Sequence, residues 1–353
     1  MPYTTLDDPS AYFQTATYSG SSSDLTVTND GNSDLKPDWL WIKQRSSTEN
    51  HMLVDSTRGV TKYLISDSTT AEQTVTSRVA TLDTDGFTLN GASNPVNAAG
   101  ATYVGWQWKA NGGTTTAFSE SGANPGGTRQ TNTTAGFSII GYTGTGSNGT
   151  IAHGLPSTPE FIIFKRRNNA NFWCVWHQAI GDDYKLALQS SDALDADGAF
   201  MASTLPTSTN ITVGGASVNT NADTGTYICY AFSPIKGFSQ FGSYIGNQDS
   251  NGMMCYCSFQ PAWVMVKKIS GTGPWNIFDH KRNGFNVDYL PTIQANAVTA
   301  EFSNVLQSID ILSNGFKIRT NQADINQSGQ TYIYMAFASN PFVTSGGVPS
   351  CAF

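Results

Sequence analysis

Charge is what this sequence has least of. Asp, Glu, Lys and Arg make up 13% of its 353 residues, about half the share usual in a globular chain. The formal net charge is −7, and the longest basic cluster is Lys165, Arg166 and Arg167. No basic face for a phosphate backbone follows, so nucleic acid is excluded as the expected partner. Cysteine is also scarce: Cys174, Cys229, Cys255, Cys257 and Cys351 form an odd set without C-x-x-C spacing. That excludes a disulfide framework and a zinc knuckle, and assembly in a reducing cytoplasm is expected. The only histidines, His51, His153, His177 and His280, contain no H-x-H, H-x-x-x-H or H-E-x-x-H pair. They are expected as surface or turn residues rather than metal ligands. No window approaches about 18 uncharged apolar residues, so membrane insertion is not expected. The start "MPYTTLDDPSAYFQ" has no basic region followed by an apolar core, so signal-directed secretion is not expected either. There is no G-x-S-x-G elbow, and glycine runs such as "GYTGTGSNG" precede no helical pattern. No nucleotide cradle and no cofactor are expected.

What is present is turn chemistry and repetition. Gly, Ser, Thr and Asn fill the gap left by charge, as in turn-rich β proteins, and the length suggests two or three domains. The stretch "KPDWLWIKQR" (36–45) recurs as "TPEFIIFKRR" (158–167) and "QPAWVMVKKI" (260–269). Pro37, Pro159 and Pro261 each precede an aromatic residue, an apolar run and a lysine. Upstream lie "FQTATYSGSS" (13–22), "FSIIGYTGTG" (137–146) and "FSQFGSYIGN" (238–247). Downstream lie "TYVGWQWK" (102–109), "TYICYAFS" (226–233) and "TYIYMAFA" (331–338). Tyr18 and Tyr103 are 85 residues apart, as are Tyr142 and Tyr227, while Tyr244 and Tyr332 are 88 apart.

Such segments read as strands, because proline tolerates a strand's first residue and β-branched and aromatic residues favour the extended chain. Asp-Gly and Asn-Gly turns at "DTDGFTL" (83–89) and "LSNGFKI" (312–318) add hairpins, with "TNITVG" (209–214) as the middle counterpart. The expected fold is all-β: three tandem antiparallel β-sandwich-like modules, residues 1–110, 135–235 and 236–353, with 111–134 a polar linker or surface loop. Alternation puts Trp39 and Trp41 on one strand face and Leu40 and Ile42 on the other. Since Trp41 is matched by Ile163 and Met265, that position asks only for apolar bulk and is expected in a core. Lys43, Lys165 and Lys267 are expected where each strand emerges into solvent.

Several residues invite chemistry. Asp55 with Arg58, and Asp279 with Arg282, occupy matching places in the first and third copies, where the middle copy has His177 and Ile180. They suit either a grip on sugar hydroxyls or a turn salt bridge worth about 0.2–1 kcal/mol if exposed. Trp173, Trp176 and Trp275 are candidate stacking platforms for a glycan, or core. Asp195 and Asp197 resemble the start of a calcium loop without its closing acid, or a solvated turn. No pair of carboxylates is singled out for glycoside cleavage.

Residues 7–15 ("DDPSAYFQT"), 36–43 ("KPDWLWIK"), 58–64 ("RGVTKYL"), 83–87 ("DTDGF"), 102–110 ("TYVGWQWKA") and 331–342 ("TYIYMAFASNPF") are similar, in order, to signatures of marine-bacteriophage structural proteins of the tail-fibre or fibre-like type. The resemblance spans essentially the whole chain. It implies a non-enzymatic β protein of the virion surface, assembled in the host cytoplasm. Its expected role is a tail-fibre or receptor-binding component contacting the host envelope. The alternatives are a capsid-surface head fibre or decoration protein, and a polysaccharide-degrading enzyme. Expected partners are identical chains in a homo-oligomer, a trimer foremost, together with other virion proteins and a host-surface glycan. No heptad or β-helical shaft pattern occurs.

Overall fold

The computed structural model describes residues 3–91, 95–282, 284–285, 291–302 and 308–350. Cys351 and part of the hairpin expected over 275–290 lie outside the described residues. The chain is all-β and antiparallel, with one four-residue α-helix, Ala323–Asn326, among the described residues. No helix there is long and apolar enough to cross a membrane.

Three larger sheets share one strand order. Each begins with a leading strand (Phe13–Ser19, Phe137–Thr143, Ser239–Ile245). This pairs with the closing strand that ends the same unit (Thr102–Trp108, Thr226–Phe232, Thr331–Pro341). The proline strand (Trp39–Gln44, Phe161–Arg166, Phe259–Lys268) lies on the other side of the closing strand. The hairpin strand (Met52–Asp55, Trp173–His177, Trp275–Asp279) pairs with the proline strand in turn. The repeated tyrosines are register partners across the leading and closing strands. Their rings stack at 4.9 Å for Tyr18 and Tyr103, 5.1 Å for Tyr142 and Tyr227, and 5.0 Å for Tyr244 and Tyr332. Pro37 and Pro159 stand just ahead of their strands, whereas Pro261 lies within one and coincides with a shift of register, as a residue without a backbone donor requires.

A smaller sheet accompanies each larger one: Leu25–Val27, Gly86–Leu89 and Val79–Asp83 in the first unit, Gly149–Ala152 and Asn210–Val213 in the second, and Met254–Tyr256, Gly315–Ile318 and Ile309–Leu312 in the third. In the first unit Leu40 and Ile42 pack with Val27, Val79, Phe87 and Leu89 in a core of their own. The opposite face of the same strand carries Trp39 and Trp41 into a much larger core. The alternation read from "WLWI" is therefore physical, and both faces are buried.

The larger core runs through all three units, so they pack on one another rather than each burying its own aromatic face. Trp39 of the first stacks on Tyr230 of the second at 4.5 Å. Phe13 of the first stacks on Phe337 of the third at 5.3 Å, and Trp108 meets Trp263 edge-on at 5.7 Å. Phe161 and Phe232 of the second each lie 6.0 Å from Phe241 of the third. The aromatic face of each larger sheet is too apolar to meet water, and the three cover one another.

The expected linker is corrected. Thr116–Phe118 and Gly127–Asn132 are strands, and the second pairs with the leading strand Phe137–Thr143, extending that sheet to eight strands. A polar edge strand buries no apolar face of its own, so it lacks the alternation that would mark it. Gly127 is required here, since a Cβ would lie 2.1 Å from the Gly141 carbonyl oxygen.

One shared core predicts one cooperative unfolding transition for all three units in calorimetry. Trp39→Ala is expected to lower the unfolding free energy by about 3–5 kcal/mol in denaturant titration. Trp39→Phe, which imitates Phe161 at the same register position, should cost clearly less.

Candidate functional site

The last residues of the hairpin strands, Asp55, His177 and Asp279, pair with Trp39, Phe161 and Trp263 of the proline strands. These positions form the seams between units. Arg58 Nε lies 2.5 Å from Asp55 Oδ2 and Arg282 Nε lies 2.7 Å from Asp279 Oδ2, with all four side chains at 0% exposure. Each carboxylate also accepts a bond from the neighbouring unit: the Tyr230 hydroxyl donates to Asp55 at 2.7 Å and the Trp106 indole N–H to Asp279 at 3.0 Å. Each guanidinium donates to a main-chain carbonyl, Leu53 or Ile277, and to a second acid, Glu72 or Glu301. Those acids are held in turn by Arg167 and Arg45 from across the seam, through two bonds each of 2.8–3.0 Å. Burial alone would lower the Arg58 pKa, but the charges of Asp55 and Glu72 and the Tyr230 hydroxyl raise it. Burial would likewise raise Glu72, but Arg167 and Arg58 hold it below the usual range.

The seam between the second and third units carries none of this. His177, Ile180, Leu194, Ile269 and Met335 stand at the five corresponding positions. The correspondence follows from register and from three matching main-chain bonds, Glu72 N to Arg167 O, Glu301 N to Arg45 O and Leu194 N to Ile269 O. The whole network is exchanged for largely apolar side chains rather than halved, as the cost of leaving one buried charge unpaired demands.

The expected sugar grip is therefore overturned for Asp55, Arg58, Asp279 and Arg282, because these side chains are out of reach of solvent; they form the turn salt bridges of the other reading, three residues apart, and these are buried in the seams. The three tryptophans are not platforms either. Trp173 and Trp275 are buried, and their indole N–H groups donate to Ile65 O at 2.7 Å and Ala187 O at 3.0 Å in the preceding unit. Trp176 is 3% exposed and donates to Gly181 O.

The lysines expected in solvent are the sharpest correction, since Lys43, Lys165 and Lys267 are all at 0% exposure. Each Nζ reaches a main-chain carbonyl of another unit: Val298 at 3.1 Å, Thr69 at 2.8 Å and Ser191 at 2.9 Å. The direction is cyclic, first unit to third, second to first, third to second. Burial lowers their pKa values to about 8, about 8 and about 7. Nothing in the sequence marked these bonds, because carbonyl acceptors have no side-chain signature and lie 76 to 255 residues away.

Histidines expected at the surface are also internal, with His51, His153 and His177 buried. Their Nδ1 atoms accept bonds from Trp41 Nε1, Leu155 N and Ala179 N at 2.8–3.0 Å, so Nδ1 carries no proton. Burial lowers His51 and His177 to about 3 and also lowers His153. Asp195 and Asp197 lie 2.5 and 2.7 Å from Lys185 Nζ, which takes the place a cation would need. Among the described residues no group of three His, Cys, Asp or Glu could hold a metal. Cys174, Cys229, Cys255 and Cys257 are buried free thiols.

Concavities among the described residues include a pair that open to the surface. One of about 220 Å³ lies between the first and third units, lined among others by Gln14, Asp30, His280, Lys281 and Ser339, with Lys281 paired to Asp30. The other, about 260 Å³, is lined by Glu160, Trp176, Gln178, Leu205 and Pro206. Gln178 donates to Glu160 at 2.8 Å, and burial raises the Glu160 pKa. Both are below the usual size of a small-molecule pocket, about 300–1,000 Å³.

The profile of the family described as "Domain of unknown function (DUF7483)" matches residues 8–341. No curated protein and no solved structure matches the chain.

Arg58→Ala is expected to cost about 3–5 kcal/mol, because Asp55 and Glu72 lose their buried partner. Giving that seam the residues of the third one (Asp55→His, Arg58→Ile, Glu72→Leu, Arg167→Ile, Tyr230→Met) should recover most of the loss in the same denaturant titration. Stability is also expected to rise with pH. Below about pH 6.5 the unfolded chain binds protons at His51 and His177 that the folded chain refuses, so stability is lost on acidification. From about pH 7–8 the folded lysines release protons that the unfolded ones keep up to 10.5, so stability grows. Above about pH 9 thiols such as Cys174, pushed up to about 12 by burial, oppose that gain. Thermal midpoints should increase from about pH 5 to about pH 8.5, and Lys267→Met should flatten the alkaline part of the curve.

Proposed function

From a chain that belongs to the DUF7483 family over residues 8–341, we propose a non-enzymatic structural protein of the bacteriophage virion surface, a tail-fibre or receptor-binding component contacting the host envelope. The three units are read as internal repeats of one sandwich. The observation that carries the reading is where the matched acid–base pairs go: Asp55, Arg58, Asp279 and Arg282 are buried and hold units together. A general acid or base must reach a substrate proton, and these do not reach the surface. The exterior is then largely uncharged Ser, Thr, Asn and Gly, suited to broad contact with other virion proteins and with host-surface glycans. The likeness of residues 7–15, 36–43 and 331–342 to fibre-like phage proteins supports the same reading.

Labelled antibody on intact particles tests the assignment. A signal confined to the tail is the expected result. A signal over the whole head would sink the tail role in favour of a head fibre or decoration protein, and no signal on particles would sink the virion reading. Purified protein incubated with host-envelope polysaccharide should release no new reducing ends; steady release would establish the rival enzyme.

A further inference from the structure

We propose that the outer edge of the third unit's leading strand, Ser239–Ile245, joins two copies of this chain by antiparallel strand pairing across a twofold axis. The inference rests on the reading as a self-associating structural protein and names the contact that makes it one.

The first observation is a difference between equivalent edges. In the second unit the leading strand is covered by Gly127–Asn132, and the same arm reaches the neighbouring small sheet: Asn124 Oδ1 accepts from Thr150 N at 2.9 Å, and Arg129 Nη1 donates to Ala152 O at 3.3 Å. In the first unit Gln14 lies over its strand, bonded to Ser33 O and Gly31 N, and Thr15 and Thr17 are half-buried. In the third unit both sheets end on that side with an edge, Ser239–Ile245 in one and Met254–Tyr256 in the other, as they do in the first with Phe13–Ser19 and Leu25–Val27, but here no side chain lies across the far end of the leading strand. Ser243 is exposed there, Ile245 is 61% exposed, and Met254 and Tyr256 are exposed beside them.

The second observation is which main-chain groups face outward. Bonds from Ala338 N to Phe238 O and from Gly246 N to Gln330 O fix the even-numbered residues as those paired with the closing strand. The odd-numbered residues therefore turn N–H and C=O away from it. The Phe241 carbonyl is taken by Gln178 Nε2 at 2.6 Å. Ser243 and Ile245 remain as a two-residue docking edge.

The occupant follows from charge and symmetry. Residues 239–245, "SQFGSYI", contain no charged residue and no proline, the two devices that usually protect an edge. An antiparallel edge is self-complementary: Ser243 of one copy faces Ile245 of the other, twice, exchanging about four hydrogen bonds. In a chain of net charge −7, an uncharged edge is where two copies meet without bringing carboxylates together. The pairing is twofold, in place of the trimer expected from sequence, because one chain already arranges three sheets around a centre.

Sedimentation equilibrium of the full chain over a range of concentrations tests this. A dimer is expected, with Ile245→Lys and Ser243→Pro each weakening association at least tenfold while circular dichroism and the thermal midpoint stay unchanged. Thr17→Lys, on the half-buried edge of the first unit, should leave association as it was. Should Ser243→Pro unfold, Ile245→Lys decides. A chain that stays monomeric throughout, or an oligomer that neither variant weakens, overturns the proposal. A monomer would not touch the virion assignment, which the antibody label decides separately.

Discussion

Each larger sheet has two apolar faces and only one small sheet to cover them. In the first unit Leu40 and Ile42 are satisfied by Val27, Phe87 and Leu89, but Trp39, Trp41, Trp106 and Trp108 look the other way. Aromatic surface of that extent left in water would cost more than the marginal stability of a typical domain. The remaining cover comes from the other two sheets, and the three close around a common centre. The cyclic order of contacts and the core shared by the three units both descend from that requirement.

Closing three sheets on one another strands polar atoms between them, and the seams show how those are satisfied. In each seam one loop carbonyl, Val298, Thr69 or Ser191, accepts both a main-chain N–H of the adjacent unit (Glu49, Asn171 or Gly273) and that unit's lysine ammonium. Two seams add an Asp, Arg, Glu, Arg network with a hydroxyl or indole donor, and the third uses apolar bulk. Buried ion pairs contribute little net stability over well-packed hydrophobic residues, yet breaking one is severe. Two charged seams and one apolar seam are therefore mutually incompatible surfaces, which fixes the order in which similar units assemble.

The same accounting shapes the exterior. The acid–base pairs at Asp55 and Arg58 and at Asp279 and Arg282 are consumed inside, and much of the surface is left to short neutral polar residues. The arm at 111–134 shows how such residues behave when an edge is available: they form a strand, satisfied by the backbone of their neighbour rather than by any apolar face.

The sequence by itself determined local structure: strand positions, the turn chemistry at 83–89 and 312–318, the tyrosine spacing that proves to be strand register, and the two-faced burial of "WLWI". These are properties of residues near one another, where alternation and turn preference act directly. Only the tertiary structure decided what Asp55, Arg58, Lys43, Trp173 and their counterparts do, because their partners lie in other units and many are main-chain carbonyls. One signal was legible in part. Asp55 and Arg58 are replaced together by His177 and Ile180 in the middle copy, and this joint loss marks a shared role. That the role is a buried seam and not an exposed turn follows from the closing of three apolar faces on one another, which no single stretch of sequence contains.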